Sequence, residues 1–206
     1  MHAEWQVECG ADDAVVVVPW SGPDSFFIDL RAHPDDIDRV PEAEGHPPLM
    51  QALRALNTSR SPVFTAKCDA WALSEDEIAQ LRLDLALDAV DASGEELAGH
   101  DSEAPDSGFA SYVDIICRDR ALFASFARQE HLLRRVARLA AAIERPRAAL
   151  ECVLRPAFVS IEEAREGYAI SLYVKALGES AQMAWSAWAD ALGDVVELLR
   201  VGGMFR

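Results

Sequence analysis

The feature that most constrains the fold is a set of short runs in which polar and apolar residues alternate. Residues two apart in a β-strand lie on the same face of a sheet. In residues 170–175, Ile170, Leu172 and Val174 therefore share one face, and the polar residues between them share the other. Strands of this kind are typical of antiparallel sheets that cover a core on one side only. The sequence predicts a sheet with one apolar and one polar face.

Segments with helical periodicity separate these runs. The predicted strands are residues 15–20, 25–31, 63–69, 110–118, 149–159 and 168–175, and the predicted helices are 48–57, a short one after Ser74, 122–144 and one from about residue 180. This order predicts an α+β fold, a mainly antiparallel sheet with helices packed on one face. Each half of the chain has most of the elements of a ferredoxin-like βαββαβ unit.

An acidic stretch separates the two halves. From Asp84 to Asp106 there are eight acidic residues and no Lys or Arg, together with two glycines and a proline. Such a composition is typical of an exposed loop or linker. The predicted organisation is an N-terminal ββαβ half (1–90), an acidic loop or linker (91–107) and a C-terminal βαββα half (108–206).

The net charge limits the classes of partner. The 206 residues include 19 basic and 35 acidic residues, a formal charge of −16. Nucleic acids and anionic membranes are recognised through Lys and Arg, so we expect neither as a partner. A basic protein is compatible with this charge. No apolar run approaches the ~20 residues of a membrane span.

The cysteines and the start of the chain favour the cytoplasm. The sequence before residue 14 has no basic and apolar segments of a secretory signal. The four cysteines contain no CxxC pair and no spacing typical of a zinc site: Cys9, Cys68, Cys117 and Cys152. We therefore expect reduced thiols in a cytoplasmic protein.

Charged residues in the predicted strands are the main candidates for a binding site. In five of these strands, charged or polar residues recur two or four positions apart and so share a face. One interpretation is an ordinary solvated face with cross-strand ion pairs; the other is a cleft or dimer interface. The candidate residues are Asp29, Arg31, Lys67, Asp69, Asp114, Arg118, Glu151, Arg155, Tyr173 and Lys175.

The predicted long helix provides a second candidate surface. Residues 118–147 contain eight arginines and three acidic residues, and Arg128, Arg135 and Arg138 lie on one helical stripe. This stripe is either a solvated helix face or a docking surface for an acidic segment of the same or another chain. The second interpretation favours self-association, and we expect a homodimer.

Motifs of the large enzyme classes are absent. The sequence has no GxGxxG, no GxxxxGK[ST], no GxSxG and no HExxH. We expect no metal, no cofactor and no catalytic residue. The predicted function is an acidic binding or interaction module with a ligand or partner on the charged sheet face. Two alternatives are a small-molecule enzyme that pairs Lys67 or Lys175 with Asp114 or Glu151, and an inhibitor or immunity-type protein for a basic partner.

Overall fold

The computed structural model describes residues 1–22, 26–87, 106–200 and 205. Within them, the strands are β1 (His2–Val7), β2 (Val16–Val18), β3 (Val63–Ala72), β4 (Ser107–Cys117), β5 (Ala148–Val159) and β6 (Arg165–Gly178). The helices are α1 (Pro41–Glu44), α2 (Pro47–Asn57), α3 (Glu75–Asp84), α4 (Arg120–Phe123), α5 (Phe126–Ala140) and α6 (Ala181–Arg200), with a 3-10 helix at Pro34–Arg39. No helix in these ranges is long and apolar enough to cross a membrane.

The strands form one sheet in the order β1-β5-β6-β4-β3, and β2 extends the β1 edge beside the end of β5. The β3–β4, β4–β6 and β5–β6 pairs are antiparallel, whereas β1 and β2 run parallel to β5. The predicted α+β fold with a mainly antiparallel sheet is confirmed. β3, from the N-terminal half, lies beside β4, so both predicted halves contribute to this sheet; their ferredoxin-like arrangement stays a prediction.

Helices α2, α5 and α6 pack on one side of the sheet, the covered face. Apolar residues recur on α5 and α6 with helical spacing, and those that face the sheet are almost fully buried: Leu133, Val136, Ala140, Leu192, Val195 and Leu199. The Trp188 side chain is fully buried and donates from its indole nitrogen to Ser111 Oγ at 2.8 Å.

The opposite side, the open face, is covered at one end by α3. Leu81 of this helix lies in a small apolar cluster with Leu73, Ala110 and Leu177. Ser74 begins the helix with a capping box, because its hydroxyl accepts from the Glu77 amide and the Glu77 carboxylate accepts from the Ser74 amide. Polar side chains lie along the middle of the open face, and the buried Phe64, Ile116 and Val159 lie at its other end.

Two predictions for the N-terminal region were wrong. β1 was not predicted, although polar and apolar residues alternate along it; its residues are mostly exposed, and pairing with β5 stabilises it. The predicted strand at 25–31 is absent from residues 26–31. There, the Asp29 carboxylate accepts from the backbone of Arg31, and the Asp29 carbonyl accepts from Ala32 and His33. These local bonds form a turn that competes with strand pairing.

The C-terminal half differs from prediction in detail. The predicted helix 122–144 is two helices, because Ser125 caps α5 through the Arg128 amide and so begins a new helix. β5 continues through Pro156, which lies between the parts of β5 paired with β1 and with β2. The missing amide of proline is tolerated where a strand edge has no ladder partner. Most of the predicted acidic loop 91–107 lies outside the described residues.

Candidate functional site

The open face gathers polar side chains from four strands. Register places Asp69 of β3, Asp114 of β4, Glu151 and Arg155 of β5, and Tyr173 and Lys175 of β6 on this face. Lys67 lies at a β-bulge of β3 and borders the same face. Alternation within each strand predicted which residues share a face. Strand order then brings four of the predicted residues to one cleft: Lys67, Asp114, Arg155 and Tyr173.

The cleft lies between the open face of strands β3 to β6 and the segment that contains β2. Its volume is about 380 Å³, within the size range of pockets that hold small ligands. Ala14, Val15, Val16, Val17 and Trp20 form one wall, and Tyr112 joins the four predicted residues on the sheet side. Charged, phenolic and apolar groups therefore border the same space.

Asp114 is the most deeply buried charged group of the cleft. Asp114 is only 6% exposed, and its Oδ1 accepts a hydrogen bond from Ser171 Oγ at 2.6 Å. Burial raises the pKa of the Asp114 carboxyl, although the Ser171 bond and the positive charges of Arg155 and Lys67 oppose this. Within the described residues, no Lys, Arg or His nitrogen lies within 4.0 Å of the Asp114 carboxylate.

The two cations of the cleft are held by other groups. Arg155 Nη2 lies 2.7 Å from Glu8 Oε2, while its buried Nε has no hydrogen-bond partner in the described part of the chain. Lys67 Nζ lies 4.9 Å from the centre of the Trp20 ring, a cation–π contact. Trp20 is itself held by a 2.9 Å bond from its indole nitrogen to the Ala66 carbonyl. Both cations therefore contact groups other than the Asp114 carboxylate and border the space that a negative group could enter.

Two tyrosines, Tyr112 and Tyr173, complete the sheet side of the cleft. The rings of Tyr112 and Tyr173 lie 5.7 Å apart on neighbouring strands. Burial raises the pKa of both phenols, and the Asp114 charge adds to the effect. The two hydroxyl groups are therefore protonated near neutral pH and can donate hydrogen bonds.

The remaining predicted residues of this face lie outside the cleft. Lys175 Nζ is 3.1 Å from Glu151 Oε2, and Gln6 donates to the other Glu151 oxygen at 2.8 Å. Asp69 is exposed and accepts from the Ala70 amide. Lys175 and Glu151 thus form a cross-strand ion pair of the ordinary kind.

The predicted residues Asp29, Arg31 and Arg118 do not line this cleft. Arg31 binds both oxygens of Asp29 at 2.9 Å. The expectation that Arg118 shares a strand face with Asp114 was wrong, because β4 ends at Cys117. Arg118 turns back to donate to the carbonyls of Val63, Asn57 and Thr58, where cations are favoured at the end of α2.

The arginine stripe lies on α5, on the side of the molecule opposite the cleft. Arg128 and Arg138 are exposed, and Arg135 is half-buried. Most of the acidic segment considered as its partner lies outside the described residues. The docking role of the stripe therefore stays a prediction.

Thiols and metals contribute little to the candidate chemistry. All four cysteines are free, and burial raises the pKa of Cys68, Cys117 and Cys152 to about 12. Such thiols stay protonated and unreactive at neutral pH. Among the described residues, no group of three His, Cys, Asp or Glu side chains is placed to hold a metal ion.

Sequence reasoning missed Tyr112, Trp20 and the valines of β2. Tyr112 lies two residues before Asp114, so alternation could have found it. Trp20 and the valines reach the cleft only because β2 pairs with β5, and no local pattern indicates that contact.

The fold and the site define an α+β protein with one helix-covered sheet face and one polar face that bears a cleft. No family model, curated protein or solved structure matches the chain. The function must therefore be argued from the site itself.

Proposed function

We propose that the protein is a binding module and that the cleft on the open face holds its ligand. The observation that carries this proposal is the buried Asp114 carboxylate, which has one hydroxyl partner and no cation at salt-bridge distance among the described residues. A buried carboxylate is costly unless a cation compensates it. A ligand with an ammonium or guanidinium group would supply that compensation.

The other side of the cleft suggests the rest of the ligand. Lys67 and Arg155 favour a negative group, and Trp20, Val15 and Val17 favour an apolar part. A small zwitterion with an apolar side chain, such as an amino acid or a short peptide end, satisfies all three. This deepens the predicted ligand site on the charged sheet face.

The test uses calorimetric titration with the twenty common amino acids. For the tightest binder, the amine and the acid that each lack one charged group are measured as well. We expect the zwitterion to bind best, and Asp114→Asn to weaken it about tenfold or more, since a charge-assisted hydrogen bond is worth ~1.5–3 kcal/mol.

Glu166→Gln is the matched control. Glu166 is exposed on β6 and does not line the cleft. Its variant therefore loses the same charge as Asp114→Asn, but at a position outside the proposed site. Equal binding by the wild type and both variants would contradict the proposed site. Binding of the acid analogue alone would contradict the role of Asp114.

The same geometry favours a second candidate, a small-molecule enzyme. Lys67 and Asp114 line one cleft, and the raised pKa of Asp114 brings this carboxyl closer to the range of a general acid or base. Glu151 and Lys175, the other predicted pair, hold each other outside it. Under this alternative, NMR spectra of a ligand mixed with the protein would show its conversion to a product over time. Lys67→Met would stop this conversion without abolishing binding.

The homodimer and the basic protein partner are also proposals. The net charge of −16 supports a basic partner, whose encounter it would accelerate. Native mass spectrometry of the purified protein tests self-association directly. A monomer at every concentration measured would remove the homodimer.

A further inference from the structure

A second cleft, separate from the Asp114 cleft, lies at the other end of the open face. It is bordered by the end of β4, the end of β5 and the start of β6, and its volume is about 190 Å³. This is the liquid volume of about six water molecules, enough for a small anionic group. Four arginines line it: Arg31, Arg118, Arg120 and Arg165.

Two of these arginines make cation–π contacts with the same aromatic ring. The Arg31 guanidinium carbon lies 4.6 Å and the Arg118 carbon 5.9 Å from the centre of the Phe64 ring. Burial and the charge of Arg31 lower the pKa of Arg118, so the two cations repel each other. An anion between them would relieve this repulsion.

The internal counterions do not neutralise the cluster. Asp29 pairs with Arg31, and Glu163 pairs with the exposed Arg120 at 3.1 Å. Among the described residues, no carboxylate lies within 4.0 Å of the guanidinium nitrogens of Arg118 or Arg165.

Arg165 also has an unused donor. Its Nε is buried and has no hydrogen-bond partner among the described residues. Buried donors in native proteins are nearly always satisfied by protein, water or ligand. Of the described residues that line this cleft, Glu162 is the one with an acidic side chain.

We propose that this arginine cleft binds an oxyanion, the phosphate or carboxylate group of a small ligand. Guanidinium groups match the geometry of both anions through paired N–H donors. The overall negative charge does not forbid the site, because charges more than ~8 Å away are largely screened at physiological salt. Arg118 and Arg165 supply the charge, and Glu162 competes with the ligand.

The experiment titrates the full chain with inorganic phosphate and separately with acetate, at constant ionic strength set with chloride, and follows binding by calorimetry. At least one of the two anions should bind. Arg165→Gln should weaken that anion about tenfold or more, because it removes a charged donor group. Glu162→Gln should strengthen it about threefold, since this exposed carboxylate repels the anion only weakly.

Arg138→Gln is the matched control, an exposed arginine of α5 that loses the same charge far from the cleft. It should bind the anion as the wild type does. Two results would overturn the proposal: neither anion binds in excess of chloride, or Arg165→Gln and Glu162→Gln both bind like the wild type. The Glu162 variant keeps the test decisive if the Arg165 variant folds poorly, since Glu162 is exposed and substitutions at exposed positions usually change stability little.

Discussion

On the covered face, the buried Asn57 side chain donates to the Leu53 carbonyl and to Thr65 Oγ1 and accepts from the Thr65 amide. On the open face, the buried Asp114 carboxylate accepts one bond, from Ser171. Both groups are about equally excluded from solvent, at 5% and 6% exposure. Among the described residues, Asn57 thus makes three of its four possible side-chain hydrogen bonds, whereas the Asp114 carboxylate makes one.

The difference separates polar groups that stabilise the fold from polar groups that are available to a ligand. A satisfied buried group fixes one arrangement of the core. An undersatisfied buried charge costs stability, and such costs concentrate at functional sites. The comparison therefore predicts opposite effects of substitution on the two faces.

The largest expected effect is on the covered face. Trp188→Ala should lower the free energy of unfolding by about 3–5 kcal/mol, because it leaves a large cavity under α6 and removes the indole N–H that donates to Ser111 Oγ. Trp5→Ala, on an exposed part of β1, should cost less than ~1 kcal/mol. Urea unfolding of both variants measures the contrast, and equal losses would show that burial is not what distinguishes them.

The next effect tests the satisfied amide. Asn57→Ala should lower the free energy of unfolding by about 1–3 kcal/mol, because the buried Thr65 amide loses its acceptor. Gln80→Ala removes an exposed amide that binds Asp84 and should change it by less than ~0.5 kcal/mol. If Asn57→Ala were neutral in chemical denaturation, the covered face would not depend on filled hydrogen bonds.

Substitution of Asp114 should act in the other direction. Asp114→Asn should raise the free energy of unfolding at pH 7 by about 0.5–2 kcal/mol, because a neutral amide avoids the cost of the buried charge and can still accept from Ser171. The same variant should lose ligand binding. A loss of stability would mean that Asp114 is already well compensated, which would break the contrast between the faces.

The pH dependence sharpens this prediction. A raised carboxyl pKa means that the folded state holds more protons than the unfolded state between the unfolded value, about 3.9, and the folded value. The contribution of Asp114 to stability is therefore favourable at low pH and is lost as the pH rises through the folded pKa. The stability advantage of Asp114→Asn should grow with pH and then level off. An advantage independent of pH between about 4 and 8 would contradict it.

The smallest effect concerns the arginine stripe. Arg135→Glu with Arg138→Glu should weaken self-association if the stripe docks an acidic segment, and sedimentation over a wide concentration range measures it. Arg60→Glu with Arg200→Glu makes the same charge change at exposed positions away from α5. An unchanged profile for the first pair would exclude the stripe as an interface.

The fold class and the faces of the strands could be predicted because alternation is a local property. Ser171, Tyr173 and Lys175 share a face in any sheet that contains β6. The helix from about residue 180 was predicted because helical spacing is local too. Where local chemistry competed, as at Asp29 and Ser125, the prediction of continuous elements failed.

The site itself depended on tertiary structure. Lys67, Asp114 and Arg155 meet because β6 lies between β4 and β5 and because β2 pairs beyond the end of β1. Strand order and register are set by contacts between residues far apart in the chain, and no single segment encodes them. The sequence by itself determined that the sheet has one polar face; only the tertiary structure decided that this face contains a buried carboxylate in one cleft and four arginines around another.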